Sequence, residues 1–193
     1  MLNKEKIEQA TCLLLEAFGE DVDREGLRET PKRVAKYWME MLEGTQYTNE
    51  EIARMYSKKF TVTSNPLVVK EIKNVFSHCE HHLALMYNMT VTVAYLPVED
   101  ENGAYRVIGL SKIPRIVELC AKRLQLQEKL AEDIAECISL ATGSQDVYVN
   151  IKADHACVTA RGAKNDGMTD VTSLRGRFVS NPQLRDEVER KVR

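Results

Sequence analysis

The segment 89-MTVTVAYLP-97 decides the fold class, because apolar and polar side chains alternate along a run that is rich in β-branched residues. On an extended chain the two kinds of side chain face opposite sides, Val91, Val93 and Tyr95 against Thr90 and Thr92. The alternation predicts a strand with one face toward a core. Two further apolar runs, 67-LVVKEI-72 and 147-VYVNIKA-153, predict strands on either side of it in the chain.

A turn signal follows the central strand. Asn102-Gly103 is a strong hairpin signal within the acidic loop 98-VEDENG-103. The strand 105-YRVIGL-110 is therefore expected to pair back across this turn.

Helical periodicity surrounds the predicted strands. Residues 3–18 form one predicted helix, and 30-TPKRVAKYWMEML-42 forms a second, which is capped by Thr30 and ended by Gly44. Ser111 is expected to cap a third helix, and Gly143 is expected to close a fourth. The order of elements predicts an α+β fold with mostly antiparallel pairing. We expect an N-terminal helical lobe over 1–60 and a catalytic domain over 61–193 that work as a single functional unit.

Composition excludes several classes of protein. The 193 residues include 44% hydrophobic and 29% charged residues, which is ordinary for a globular chain. The net charge of -2 argues against binding nucleic acid through overall charge. No run is apolar enough to span a bilayer, so we expect a cytoplasmic protein with no membrane partner.

The five cysteines fall into two groups. Cys120 and Cys137 lie on apolar helix faces and Cys12 borders one, so all three are expected to be inert thiols of the core. Cys79 and Cys157 differ, because each has a histidine within three residues.

Three of the four histidines and one of these cysteines lie in 76-FSHCEHHLALM-86. The remaining histidine lies in 155-HACVTAR-161, which we interpret as a continuing strand that presents His155, Cys157, Thr159 and Arg161 on one face. Cys79, His82 and Cys157 would give zinc a Cys2His site with one open position. His81 and His155 would lie beside it as proton carriers. These patterns alone leave open which histidine binds metal and which moves protons.

A possible anion site lies in 109-GLSKIPR-115, where Ser111 precedes a helix N-terminus with Lys112 and Arg115 nearby. Arg161 and Arg33 could add positive charge. Taken alone, Lys112 and Arg115 are more often a solvated helix face, and Gln127 and Glu128 are more often helix-surface residues.

Seven motifs together are similar to one known family. They stand in the right order and with consistent spacing over residues 25–180, as 30-TPKRVAKY-37, 79-CEHH-82, 94-AYLP-97, 108-IGLSKIPRIVE-118, 121-AKRLQLQEKL-130, 155-HACVTARG-162 and 172-TSLRGRF-178. The chain resembles the zinc-dependent GTP cyclohydrolase I family. The resemblance implies hydrolysis of GTP to formate and 7,8-dihydroneopterin triphosphate, with a zinc ion as cofactor.

The resemblance also implies a role for each candidate residue. It gives the zinc ligands as Cys79, His82 and Cys157, and the flanking histidines as His81 and His155. His155 is the expected main proton donor, and Ser111 is expected to assist later steps. The implied contacts to triphosphate and ribose are Ser111, Lys112, Arg115 and Arg161, with Arg33 as a further candidate. The implied pair that reads guanine is Gln127 and Glu128.

The same resemblance implies a tunnelling fold, in which antiparallel sheets of several subunits close one β-barrel. It implies a homodecamer with active sites between subunits. Two features depart from the family pattern: Asn88 stands where glycine is common, and the loop 98–106 is long. The alternatives are another tunnelling-fold enzyme that acts on a pterin or deazapurine, and a non-catalytic, zinc-stabilised purine-binding module. The spare histidines His81 and His155 favour an enzyme.

Overall fold

The computed structural model of the protein describes residues 2–192. The N-terminal part is helical and consists of α1 (Lys4–Ala17), α2 (Thr30–Met41), a 3-10 turn (Glu43–Gln46) and α3 (Asn49–Met55). The strands are β1 (Lys59–Val62), β2 (Val68–Cys79), β3 (Leu85–Tyr95), β4 (Val98–Glu99), β5 (Tyr105–Ile108), β6 (Leu124–Gln125), β7 (Val147–His155) and β8 (Thr169–Leu174). The later helices are α4 (Lys112–Ala121), α5 (Gln127–Thr142), α6 (Ala156–Thr159), α7 (Arg177–Ser180) and α8 (Pro182–Lys191).

The main sheet has the strand order β6-β2-β3-β7-β8. Its pairings are antiparallel except for the short parallel pair of β6 with β2. The predicted α+β class with mostly antiparallel pairing is therefore confirmed. The division into a lobe over 1–60 and a domain over 61–193 stays a prediction, and its end residues 1 and 193 lie outside the described part.

In the central strand β3 the predicted core face is buried, but the opposite face is buried as well at Thr92 and Ala94. Val91, Val93 and Tyr95 are fully buried in the core that α4 and α5 form with the sheet. The opposite face is more polar at Thr90 but becomes apolar near Ala94. There a second cluster, Ala94, Leu96, Tyr148, Phe178 and Val188, brings α7 and α8 against the sheet.

The predicted hairpin forms with different partners. The strand β5 pairs back across the Asn102-Gly103 turn, but with the two-residue strand β4 and with β1 instead of the central strand. The reason is that β2 and β7 already occupy both edges of β3. The Ile108 amide nevertheless donates to the Tyr95 hydroxyl of β3 at 3.2 Å.

Several predicted boundaries need correction. Thr30 is the first residue of α2 and does not cap it, and α2 ends at Met41, with Gly44 inside the 3-10 turn that follows. Ser111 holds the N-cap position of α4, but its side chain makes no capping hydrogen bond. Gly143 closes α5 as predicted, in the left-handed region at φ 81°. Across residues 2–192, none of the helices combines the length and the apolar character that a membrane crossing requires.

Candidate active site

The first half of the site is the turn that follows β2. Cys79 is the last residue of this strand, and its amide donates to the Ala84 carbonyl at 2.8 Å. The Leu83 amide donates back to the Cys79 carbonyl at 2.9 Å, with Leu83 at φ 52°. A third bond, from the Glu80 amide to the Gln125 carbonyl at 3.1 Å, ties the turn to β6. The backbone thus fixes the position of Cys79 and the direction of the chain toward His82.

The second half of the site corrects the sequence prediction. The segment 155–161 is not a continuing strand, because β7 ends at His155 and α6 follows at once. The pairing partner runs out at this point, since the ladder with β3 ends at the pair Met86 and His155. The Thr159 hydroxyl then donates to the His155 carbonyl at 3.2 Å, so this carbonyl has a hydrogen-bond partner beyond the end of the sheet.

The predicted metal ligands are brought together all the same. One ligand atom each from Cys79, His82 and Cys157 lies within 4.8 Å of the others, and Cys79 Sγ lies 3.9 Å from His82 Nδ1. A tetrahedral ion with bonds of roughly 2.0–2.3 Å would hold its ligand atoms about 3.5–3.8 Å apart. Two thiols and one imidazole are also the donor types that zinc prefers. The cluster therefore has the chemistry and spacing to hold a metal ion.

The thiol of Cys157 is tuned by these surroundings. Burial raises the pKa of Cys157, and the neighbouring Cys79 raises it further, while Arg161 opposes them. Without a cation between them, two adjacent thiols resist forming thiolates together. A bound divalent ion reverses this, because a coordinating thiol is deprotonated.

His155 lies at the end of β7, two residues before Cys157. Its Nε2 contacts the side-chain oxygen of Gln127 at 2.7 Å. Burial lowers the pKa of His155, and the charges of Glu128 and Asp154 oppose that shift. The ring is thus held by a neighbour on α5.

Two more candidates lie against the cluster. The Arg161 guanidinium contacts His82 Nε2 at 3.1 Å, and Arg161 itself is exposed. The His81 ring stands edge-on to the His82 ring, with 6.3 Å between the ring centroids. His81 is also exposed, so a substrate could reach it.

The remaining candidates make no hydrogen bond or ion pair to the cluster within residues 2–192. Ser111, Lys112 and Arg115 stand at the start of α4, and Arg33 stands on α2. Within residues 2–192, no hydrogen bond or ion pair joins these four to Cys79, His82 or Cys157. The Lys112 ammonium instead lies 5.9 Å from the Tyr56 ring centroid. One chain therefore brings together Cys79, His82 and Cys157, the metal half of the candidate site, and within residues 2–192 no hydrogen bond or ion pair ties the cations of α4 to it.

Sequence reasoning missed one buried residue beside the site. His78, to which the sequence assigns no role, is 2% exposed and contacts the Tyr37 hydroxyl through Nε2 at 2.6 Å. Its ring also lies 4.7 Å from the Trp38 ring, centroid to centroid. This contact packs α2 against His78, the residue before Cys79. It could not be predicted from the sequence pattern because the contacting residues lie far apart in the chain.

Solved structures offer distant resemblances. The apo form of the archaeosine synthase QueF-Like gives a TM-score of 0.45 at 21% identity and covers 58% of this chain and 96% of that chain. Dihydroneopterin aldolase from Burkholderia thailendensis, bound to guanine, gives a TM-score of 0.35 at 17% identity, with 57% and 93% covered.

Comparisons of sequence are far closer. The GTP cyclohydrolase I family model matches residues 7–193. GTP cyclohydrolase 1 of Clostridium acetobutylicum is 47% identical over 190 residues, which cover 95% of this chain and 94% of the relative. GTP cyclohydrolase 1 of Ruminiclostridium cellulolyticum is 46% identical over 191 residues, with 95% and 94% covered. On this evidence, the chain belongs to the GTP cyclohydrolase I family.

Proposed function

We propose that this protein is a zinc-dependent GTP cyclohydrolase I. It hydrolyses the imidazole ring of the guanine in GTP and yields formate and 7,8-dihydroneopterin triphosphate, the first step of tetrahydrofolate and pterin biosynthesis. The observation that carries the proposal is the Cys79–His82–Cys157 cluster in a chain of this family, with His155 two residues before Cys157.

The metal half of the site opens the ring. A zinc ion held by Cys79, His82 and Cys157 would supply a water of lowered pKa for attack on C8 of the purine. His155 protonates the imidazole ring of the guanine, which makes C8 electrophilic and lets the C–N bond break. His81 is placed to move a second proton when formate leaves.

The base and the triphosphate are held by other side chains. The Glu128 carboxylate can accept hydrogen bonds from N1–H and the exocyclic amine of guanine, whereas adenine presents the wrong pattern. Arg161 lies against the cluster and carries the charge that a phosphate needs. Ser111, Lys112 and Arg115, with Arg33 as a further candidate, complete the contacts to triphosphate and ribose. Ser111 also assists the later rearrangement of the ribose.

The oligomeric state is proposed because, within residues 2–192, no hydrogen bond or ion pair joins the cations of α4 to the Cys79–His82–Cys157 cluster. We propose a homodecamer whose active sites lie between subunits, so that the α4 cations of one subunit meet the metal half of another. The five-stranded sheet, too small to close a barrel alone, supports this proposal.

The decisive experiment measures metal content and turnover together. Purified wild-type protein is expected to hold about one zinc per chain, to release formate from GTP, and to yield a fluorescent neopterin after oxidation. Cys157→Ala is expected to lose metal and activity, and Cys12→Ala, which changes a thiol on α1, serves as the matched control.

Two outcomes would contradict the proposal. Turnover of a deazapurine or pterin with GTP untouched would assign the chain to another reaction. Full metal and full activity in Cys157→Ala would remove this residue from the ligand set.

A further inference from the structure

The side chain of Gln127 is buried and fully engaged at the first residue of α5. It is 2% exposed. Its amide nitrogen donates to the Ile151 carbonyl at 2.8 Å and to the Thr169 carbonyl at 3.1 Å. Its oxygen contacts His155 Nε2 at 2.7 Å. One amide thus joins α5 to β7, to the start of β8 and to the proposed proton donor.

These contacts fix the orientation of the amide. The carbonyl oxygens of Ile151 and Thr169 can only accept hydrogen bonds, so the group that faces them must be the NH2. Rotating the amide by half a turn would set its oxygen against two other oxygens. The side-chain oxygen must therefore face His155, and since that oxygen can only accept, His155 Nε2 must carry a proton.

We propose that Gln127 is a positioning residue that holds His155 as the Nε2–H tautomer. The Nδ1 atom is then the ring nitrogen that exchanges a proton with the purine. In the imidazolium form both ring nitrogens carry hydrogen. Nδ1–H gives its proton to the substrate, and Nε2–H remains hydrogen-bonded to the Gln127 side-chain oxygen. The ring is left neutral, and Nδ1 takes up a proton from solvent water before the next turnover. This proposal rests on the proposed function of His155.

Direct reading of the guanine base is a poor use of the same side chain. Both amide hydrogens are already donated to backbone carbonyls, and the group is closed off from solvent. Glu128, the next residue, is exposed, and within residues 2–192 no hydrogen bond or ion pair engages its carboxylate, so it can bind the base. The two residues would therefore divide the work, Gln127 acting on the histidine and Glu128 on the substrate.

Two variants of similar size separate the roles. Gln127→Glu and Gln127→Met both lose the NH2 that bonds the sheet carbonyls, but only the carboxylate keeps an acceptor for His155 Nε2–H. We expect Gln127→Met to lower kcat roughly 10²-fold with KM for GTP within about twofold, since it removes orientation of a general acid. Gln127→Glu should keep kcat within about tenfold of wild type. Metal content and melting temperature are measured on both.

Two other patterns of results would overturn the proposal. A raised KM with unchanged kcat, or turnover of ITP or ATP gained by either variant, would make Gln127 a reader of the base. Equal losses of kcat in both variants, with equal drops in melting temperature, would leave it only a structural role.

One measurement needs no substitution at position 127. Nitrogen-15 NMR of wild-type holoenzyme labelled at its four histidines, at a pH where the rings are neutral, shows which nitrogen of His155 carries hydrogen. His155→Gln assigns the signal. The proposal requires Nε2–H, and a hydrogen on Nδ1 would refute it. Wild-type protein that leaves GTP intact would instead defeat the proposed function, and the tautomer would still be read.

Discussion

At the scale of single residues, Asn88 stands where the family resemblance led us to expect glycine. Asn88 adopts φ 50°, in the left-handed region that most side chains avoid. Asparagine tolerates this region better than most residues, and here its amide also donates to the Asp154 carboxylate at 2.8 Å. The departure therefore keeps the backbone bend near the site and adds a hydrogen bond to the strand that delivers His155.

Substitutions at this position should separate the two contributions. Asn88→Gly keeps the backbone conformation accessible, and we expect it to change the free energy of unfolding by no more than about 1 kcal/mol, the worth of an exposed hydrogen bond. Asn88→Ala loses the same bond and adds left-handed strain, so it should cost about 1–2 kcal/mol more than Asn88→Gly. Denaturant unfolding at fixed protein concentration measures both. Equal stability of the two variants would show that backbone strain is not at work here.

The sequence pointed to the residues of the metal-binding cluster but not to the residues that surround them. Cys79 and His82 are three residues apart, which is a local signal, and the second Cys and His segment pointed to the same chemistry. Gln127 gave no such signal, because a glutamine in the first turn of a helix is usually exposed. Its burial arises from Ile151 and Thr169, whose carbonyls arrive from strands far along the chain.

At the scale of elements, Arg123 fastens the helical N-terminal part to the rest of the fold. Its guanidinium donates to the Gly44 carbonyl at 3.1 Å, to the Tyr47 carbonyl at 2.9 Å and to the Asn49 side chain at 2.7 Å. It also pairs with the Asp133 carboxylate of α5 at 3.1 Å. The close approach requires glycine at position 44, where a Cβ would lie 1.9 Å from the Leu119 carbonyl oxygen.

The same network extends to the turn that follows β2. The Gln125 amide donates to the Asp133 carboxylate at 2.9 Å, and the Gln125 carbonyl accepts from the Glu80 amide at 3.1 Å. One carboxylate on α5 thus connects the helical part, β6 and the turn that carries Cys79 and His82. Breaking a buried pair is costly because it leaves the partner charge uncompensated.

The stability contributed by Asp133 should depend on pH. Burial alone would raise the pKa of Asp133, but hydrogen bonds from Lys129, Gln125 and Asn49 outweigh it and lower the pKa below the usual value. A lowered folded-state pKa gives stability that is fully present above the unfolded-state pKa, near 3.9, and is lost as pH falls through the folded value. Asp133→Asn should therefore cost about 3 kcal/mol at pH 7, and its difference from wild type should shrink below about pH 4. Melting temperatures across pH measure this.

Asp186→Asn is the control, because it removes an exposed carboxylate from α8. It should melt like wild type near neutral pH. A gap between Asp133→Asn and wild type that stays constant from pH 7 to pH 3 would show that the charge of Asp133 does not support the network.

Elements were predictable where the signal is local and less so where a distant partner decides. The Gly143 stop of α5 is local and is confirmed, and so is the buried face of β3, whereas the burial of its other face depends on α7 and α8 far along the chain. The strand predicted for 67–72 continues to Cys79 because β3 supplies a partner along its length, with bulges near Asn74. Conversely, β7 stops at His155 because that partner ends.

At the scale of the whole molecule, the main sheet is open at both edges. On one side β8 is the last strand, and on the other side β6 covers only His78 and Cys79 of β2. Among residues 2–192, most of the outer edge of β2 has no strand beside it. Unpaired edges favour strand addition from another chain, and a copy of this chain can supply it.

The two halves of the proposed site give a test of this assembly through mixing. Cys157→Ala removes a metal ligand, and Lys112→Ala removes a cation at the start of α4, so each variant alone should lose most of its activity. If a site combines the metal half of one subunit with the α4 half of another, co-expressed oligomers should regain roughly a quarter of wild-type activity, since each half is intact with even odds. Turnover of GTP by the co-purified mixture measures this against the two parents. If every chain instead builds its own site, no pairing of subunits restores both halves, and the mixture should stay as inactive as its parents.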